Sequence, residues 1–306
     1  MLNCCNKNIS VSQLALHLRP QLKKIIMKKI SVLVCLLLAG FLILAQNPTN
    51  KIVLSKNQQL KFVTAIKGSI SQEMMGQAME TLMDISNTRN ITVQDINAEN
   101  YQVTAVTTHI KMNMSMMGQE KTFDSDNKDD MAGEMKEAGK TVNVVKQFIL
   151  STDGKCKPDE KDTVKKTEET AVEGMIQQMF GGGMDATGTE SYFMLIPLGK
   201  KTGDSWADSV INGTTKSFWN YTWDSNTENI ALIKATSKSI NNSTITTQGM
   251  DITMNLTTDI TETRKVDIKN GIILNKETVS KLNGTAEVMG QSVPMTGSTT
   301  STVTLQ

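Results

Sequence analysis

The chain has 306 residues, with 32 basic against 31 acidic side chains and a formal charge of +1, so it presents no basic excess with which to hold nucleic acid. Three of its four cysteines, Cys4, Cys5 and Cys35, lie in the first 45 residues, and the lone Cys156 elsewhere excludes a disulfide framework. Aromatic residues make up only 4%, and twenty methionines are the one outlying count.

Residues 1–26 precede a natural-looking start at Met27-Lys28-Lys29 and are expected to be an over-extended gene start. From 27 to 45 a positive pair is followed by an apolar run, Ile30 to Ala45, which is the pattern of a secretory signal cut after Ala45. The run is shorter than the roughly 20 residues of a comfortable membrane span, although an uncleaved anchor is the alternative. Val34 before Cys35 does not suit lipid attachment. Removing residues 1–45 takes the basic residues from 32 to 26 and leaves the 31 acidic ones, a net charge near −5.

The mature chain begins with Ile52, Val53, Leu54, Leu60, Phe62 and Val63, which suit an opening strand pair. In residues 70–86, Met75, Ala78, Met79, Leu82 and Met83 match a helical stripe, but Gly76 interrupts it, and two strands are preferred over a helix. Arg89–Asp95 and Tyr101–Thr108 alternate as strands around the turn-rich Asn97–Asn100. Ile110, Met112, Met114 and Met116 then alternate with Lys111, Asn113 and Ser115, the two-residue period of a strand with one buried face. At Met117-Gly118-Gln119 the chain can reverse. The same triplet stands at Met75-Gly76-Gln77 and Met289-Gly290-Gln291, so it is expected to be a hairpin device used three times.

Asp124–Lys140 suits a short surface helix, Thr141–Leu150 a strand, and Asp153-Gly154 a hairpin. A capping box at Thr170 and Glu173 opens an amphipathic helix over Ala171–Phe180, and the glycines from Gly181 form a connector. Tyr192–Leu198 is expected to be a short buried strand. Asn212-Gly213, Asn270-Gly271 and Asn283-Gly284 are hairpin dipeptides among strands at Phe218–Trp223, Ile230–Ile240, Met250–Ile260, Ile272–Leu282 and Val293–Leu305.

Three patches resemble a family of uncharacterised exported bacterial proteins that share a domain of unknown function. They are Met116–Ser125, Ile196–Trp206 and the closing hairpins around Asn270-Gly271, and the likeness covers most of residues 50–306. It implies secretion and a β-rich fold, with no catalytic residues to carry over.

The expected fold is therefore mainly β with a minor α component. Two similar curved antiparallel sheets, residues 46–166 and 191–306, form a half-barrel or clasp and are joined by the helix and Gly-rich connector of 167–190. Periplasmic lipoprotein carriers are the analogy for that shape.

No motif for chemistry stands out. Neither His109 nor Cys156 has a nucleophile–base motif around it, and Gly181-Gly182-Gly183 lacks the Lys-Ser/Thr of a phosphate loop. The acids Asp124, Asp126, Asp129 and Asp130 lack the glycine and distal glutamate of a calcium loop. The reading is an exported non-enzymatic protein, with no cofactor, no nucleic acid and no membrane span once the signal is cut. Its partner would be a hydrophobic small molecule or lipid lining Met112, Met114, Met116, Met250 and Met254. The alternatives are periplasmic Cu(I) binding by the thioethers of Met112, Met114 and Met116, and a structural or surface interaction protein.

Overall fold

A computed structural model describes residues 49–159 and 190–306, apart from 75, 76, 117, 134, 248, 249 and 289. The chain divides into Met1–Asn47 and Pro48–Gln306, and all the described residues belong to the second unit. The expected over-extended start, signal, 171–180 helix and Gly-rich connector lie outside the described residues.

The described chain is mostly β-strand, as its alternation predicts. In the first half run β1 (Gln59–Met74), β2 (Gln77–Ile96), β3 (Asn100–Met116), β4 (Gln119–Asp124), β5 (Val145–Ser151) and β6 (Cys156–Pro158). In the second half run β7 (Ser205–Asn212), β8 (Thr215–Thr227), β9 (Ile230–Thr247), β10 (Met250–Asp267), β11 (Ile272–Val288) and β12 (Gln291–Leu305). Helical structure among the described residues is slight. Lys128–Ala132 is one turn, started by Asn127 accepting from the Asp129 amide, and single 3-10 turns cover Lys136–Gly139 and Glu190–Tyr192.

Each of the three Met-Gly pairs falls between two residues that pair across adjacent strands. Met74 pairs with Gln77, Met116 with Gln119 and Val288 with Gln291. Gly118 and Gly290 hold φ of 76° and 77°, which glycine adopts without steric cost; Met75-Gly76 lies outside the described residues. Residues 70–74 and 77–86 are strand and pair with one another, so the helical stripe there is overruled.

Several expectations are corrected. The two halves are one sheet of twelve strands, in the order β6-β5-β3-β2-β1-β12-β11-β10-β9-β8-β7 with β4 pairing β3. The seam is β1 against β12, from Phe62 opposite Leu305 to Gln72 opposite Met295. Each half is a meander whose free inner edge would be left with bare amides, and the two edges satisfy each other. Residues 52–54 form no strand, because their amides bond elsewhere. Tyr192–Leu198 is an irregular strap with a single bridge, Phe193 to Ile272. Asn283-Gly284 sits inside β11, opposite Leu256 and Met295 on its two neighbours, and makes no turn.

The sheet must curl. The Ile52 amide donates to the Thr152 carbonyl (2.7 Å) and the next amide, Val53, to the Asn270 carbonyl (3.1 Å). Thr152 belongs to the β5–β6 turn and Asn270 to the β10–β11 turn. In a flat sheet β5 and β11 would stand about 24 Å apart, at ~4.8 Å per strand. Successive residues are only about 3.8 Å apart, so the two turns are drawn to within roughly 10 Å. The Tyr101 hydroxyl donates to the Ile52 carbonyl (2.7 Å) and fixes this strap. Tyr192 stacks on Phe62 with ring centroids 4.0 Å apart, and Ile52, Leu54, Val103, Leu150 and Ile272 pack around them. One end of the sheet is thereby closed, and the Met-Gly hairpins lie at the other.

Curling crowds the concave side, and glycines relieve it. Gly68, Gly297 and Gly284 step diagonally across β1, β12 and β11 on the inner face. A Cβ on Gly297 would lie 2.9 Å from the Ser69 carbonyl oxygen, and one on Gly284 would come 2.9 Å from Leu256 Cα and collide with the Asn255 carbonyl. Gly284→Ala is therefore expected to cost about 2 to 3 kcal/mol of stability in urea unfolding. Thr302→Ala, on the exposed face of β12, should change it by less than about 0.5 kcal/mol.

Candidate ligand-binding face

Directly paired residues of an antiparallel sheet share a face, so register assigns the inner side chains strand by strand. Toward the hairpin end they form a methionine layer. Met83, Met112, Met254 and Met295 are buried with Ile70, Ile85, Phe123, Leu256, Leu282 and Ala286, and Ile110, Met114, Met135 and Ile252 are half-buried against them. Methionine suits this place because its unbranched thioether chain fills an irregular, curved surface.

Of the residues singled out in the sequence, Met112 and Met254 come together in this layer although five strand steps separate β3 from β10. Met112, Met114 and Met116 share the inner face of β3. Their exposure climbs from 4% at Met112 through a half-buried Met114 to 54% at Met116. Alternate residues of a strand are spaced by about 6.8 Å, so the three sulfurs are strung along the strand. Met250 opens β10, and its side chain lies outside the described residues. Where β2, β3 and β4 meet, Met83 and Met114 line an open depression of about 400 Å³ together with Asp84, Glu120 and Lys121.

Deeper along the same face the lining turns from thioether to hydroxyl. Ser237, Ser239, Thr258, Ser280 and Thr299 are buried in adjacent rows. The Ser217 hydroxyl donates to Ser239 at 3.0 Å. The hydroxyls of Ser237 and Ser243 are buried without a hydrogen-bond partner, and Ser243 stands opposite Met254 in register.

Beyond the hydroxyls lies a charged and aromatic cluster that sequence reasoning missed. Arg264 donates from Nε to the Glu262 carboxylate (2.6 Å), and its Nη2 approaches the same oxygen at 2.5 Å; the two side chains are 14% and 7% exposed. The guanidinium lies 5.3 Å from the ring centroid of Trp219 and 5.4 Å from that of Tyr221, a cation–π arrangement. Trp206 stacks on the far side of the row, 5.4 Å from Tyr221. Thr278 Oγ1 donates to the second Glu262 oxygen (3.1 Å). Burial pushes the Glu262 carboxyl up, but Arg264, Lys276 and Thr278 together hold it below the usual range. Burial raises the Tyr221 phenol. A signal was available: Glu262 and Arg264 fall on the same parity as Met254 and Leu256, which places two opposite charges on the apolar face.

No helix among the described residues is long and apolar enough to cross a membrane. No family model matches the chain, and no curated protein does. Among solved structures, an outer membrane channel from Pseudomonas putida F1 is similar over 85% of this chain and 99% of its own, at 8% identity and a TM-score of 0.25. A domain described as an outer membrane lipoprotein-sorting protein domain, from Vibrio parahaemolyticus, is similar over 78% and 83% at 7% identity and a TM-score of 0.12. Likenesses at those scores transfer neither fold nor function.

Arg264→Ala would leave Glu262 buried without its cation, and at neutral pH the variant is expected to lose about 3 to 5 kcal/mol. The sign of its pH dependence follows from the pair. In the wild type the lowered Glu262 carboxyl contributes stability above its unfolded value, and that contribution fades as acid protonates it. In the variant burial dominates, so protonation relieves the buried charge. The gap between the two proteins should narrow between pH 7 and pH 4 in urea unfolding; a constant gap would show that packing alone is lost.

Proposed function

We propose that this chain is an exported, non-catalytic binding protein whose methionine-lined concave face takes the apolar chain of an amphiphile such as a lipid. The observation that carries the reading is the gradient along that face. A buried thioether layer, with Met112 and Met254, runs without interruption into the half-buried Met114 and Ile252 toward the hairpin end. An apolar chain laid on that rim would extend the layer already present, at about 25 cal/mol for each Å² withdrawn from water. Flexible methionines suit a ligand of variable shape. The partnerless Ser243 hydroxyl beside Met254 offers a hydrogen bond to an ester or hydroxyl of the same ligand.

Export rests on the signal-like 27–45 and on the resemblance to uncharacterised exported proteins, and both belong to the proposal. The intact mass of the protein made in a bacterial host is expected to correspond to a chain starting at Gln46.

Native mass spectrometry of the purified protein should show a co-purifying hydrophobic species. A dansyl-labelled fatty acid should bind saturably at one site per chain. Met114→Glu places a carboxylate on the rim, where partial exposure keeps it hydrated and the fold intact, and it should weaken the probe by about tenfold or more. Clean ligand-free spectra together with a linear, unsaturable probe titration would overturn the reading.

A further inference from the structure

On the opposite, outward face of the sheet, β3 carries a second cluster. Thr88 pairs with His109 and Arg89 with Thr107, so Thr108 is the extra residue of a β-bulge. The bulge turns His109 outward, where Lys111 and Asp124 are directly opposed. His109 Nε2 lies 3.0 Å from Asp124 Oδ1 and 3.6 Å from Asp126 Oδ2. One ligating atom from each of the three residues falls within 4.8 Å of the others.

We infer that His109, Asp124 and Asp126 form a binding site for a divalent first-row transition cation such as Zn²⁺. Donor atoms bound at about 2.1 Å and separated by 90° to 110° stand roughly 3.0 to 3.4 Å apart, and the two measured separations bracket that range. One imidazole with two carboxylates is a donor set that accepts Zn²⁺ and leaves positions open for water. The donors are held before any ion arrives. The Asp126 amide donates to Asp124 Oδ1 (3.1 Å), and the Asp124 amide donates to Asp130 Oδ2 (2.8 Å). Ser125 bonds Ile110 twice, from its amide to the carbonyl (2.9 Å) and from the Ile110 amide to its hydroxyl (3.0 Å). The charges also favour a cation. Lys111 Nζ stands 3.6 Å from Asp124 Oδ2 and offsets one carboxylate, while Asp126 has no lysine or arginine ion pair among the described residues and stands beside a histidine that binds metal in its neutral form. The site is reachable, with His109, Asp124 and Asp126 side chains 30%, 32% and 79% exposed.

Calorimetric titration of the full chain with Zn²⁺ at pH 7.5 is expected to show one ion per chain, undisturbed by excess Mg²⁺, which lacks affinity for imidazole. His109→Gln and Asp126→Asn should each weaken binding by about tenfold or more. Asp126 is largely exposed, so its variant folds normally, and a matched circular dichroism spectrum checks that. Asp153→Asn, on the β5–β6 turn, should bind as the wild type does. Absence of a saturable heat of binding, or Zn²⁺ binding by Asp126→Asn equal to the wild type, would overturn the site.

Discussion

Each half of this chain is a meander that, taken alone, would expose an inner edge of unpaired amides and carbonyls. The pairing of β1 with β12 removes both edges at once, along a register that runs from Phe62–Leu305 to Gln72–Met295. With the seam closed, strands at opposite ends of the sequence become neighbours, and the straps at 49–55 and 190–204 can reach from one half to the other. The Ile52 and Val53 amides grip turns from both halves and set how far the sheet curls. The apolar interior follows from that curl: side chains on one face are buried by the rest of the same sheet, together with strap residues such as Ile52, Leu54 and Tyr192 and with Met135.

A sheet bent this far has unequal faces. On the concave side neighbouring side chains converge, so volume must be given up where the bend is sharpest. The glycines at 68, 297 and 284 do this along one diagonal, and Ser and Thr continue the narrow profile across β9 to β12. Where the bend relaxes toward the hairpins, larger side chains return. Methionine is suited there because it can follow a surface whose shape is set by the backbone. The Arg264–Glu262 pair occupies the opposite zone, between the hydroxyls and the closed end. Its two charges are tolerated in the interior because each is satisfied by the other, by Thr278 and by aromatic faces.

Much of this was legible where the signal is local. The alternation of Met112, Met114 and Met116 marks a strand face, and the Met-Gly-Gln triplets mark reversals, because period and turn chemistry act within a few residues. The seam was not legible. Nothing in the composition of β1 names β12 as its partner some 230 residues away, and register is chosen by the whole sheet. Asn283-Gly284 shows the same limit from the other side: the dipeptide suits a turn, but its glycine serves a concave kink inside β11. Ile52, Val53 and Leu54 have the composition of a strand, yet they serve as a strap because their amides find partners on two distant turns. The buried ion pair was readable in principle from the parity of Glu262 and Arg264, a signal that depends on first fixing the strand.

A single inserted residue connects the two faces. In the first part of β3 the inward residues are odd-numbered, Tyr101, Val103 and Ala105; after Thr108 they are even, Ile110, Met112 and Met114. Had the strand kept its phase, His109 and Lys111 would have pointed into the interior and the methionines into water. An unpaired lysine there would face the desolvation cost of a buried charge, and Ile110, Met112 and Met114 would lose their burial. The bulge avoids both. It delivers the methionines to the concave layer and in the same step brings His109 beside Asp124 and Asp126 on the outside. The apolar face and the outer polar cluster are thus not separate acquisitions: one extra residue in β3 fixes the side on which each of them stands.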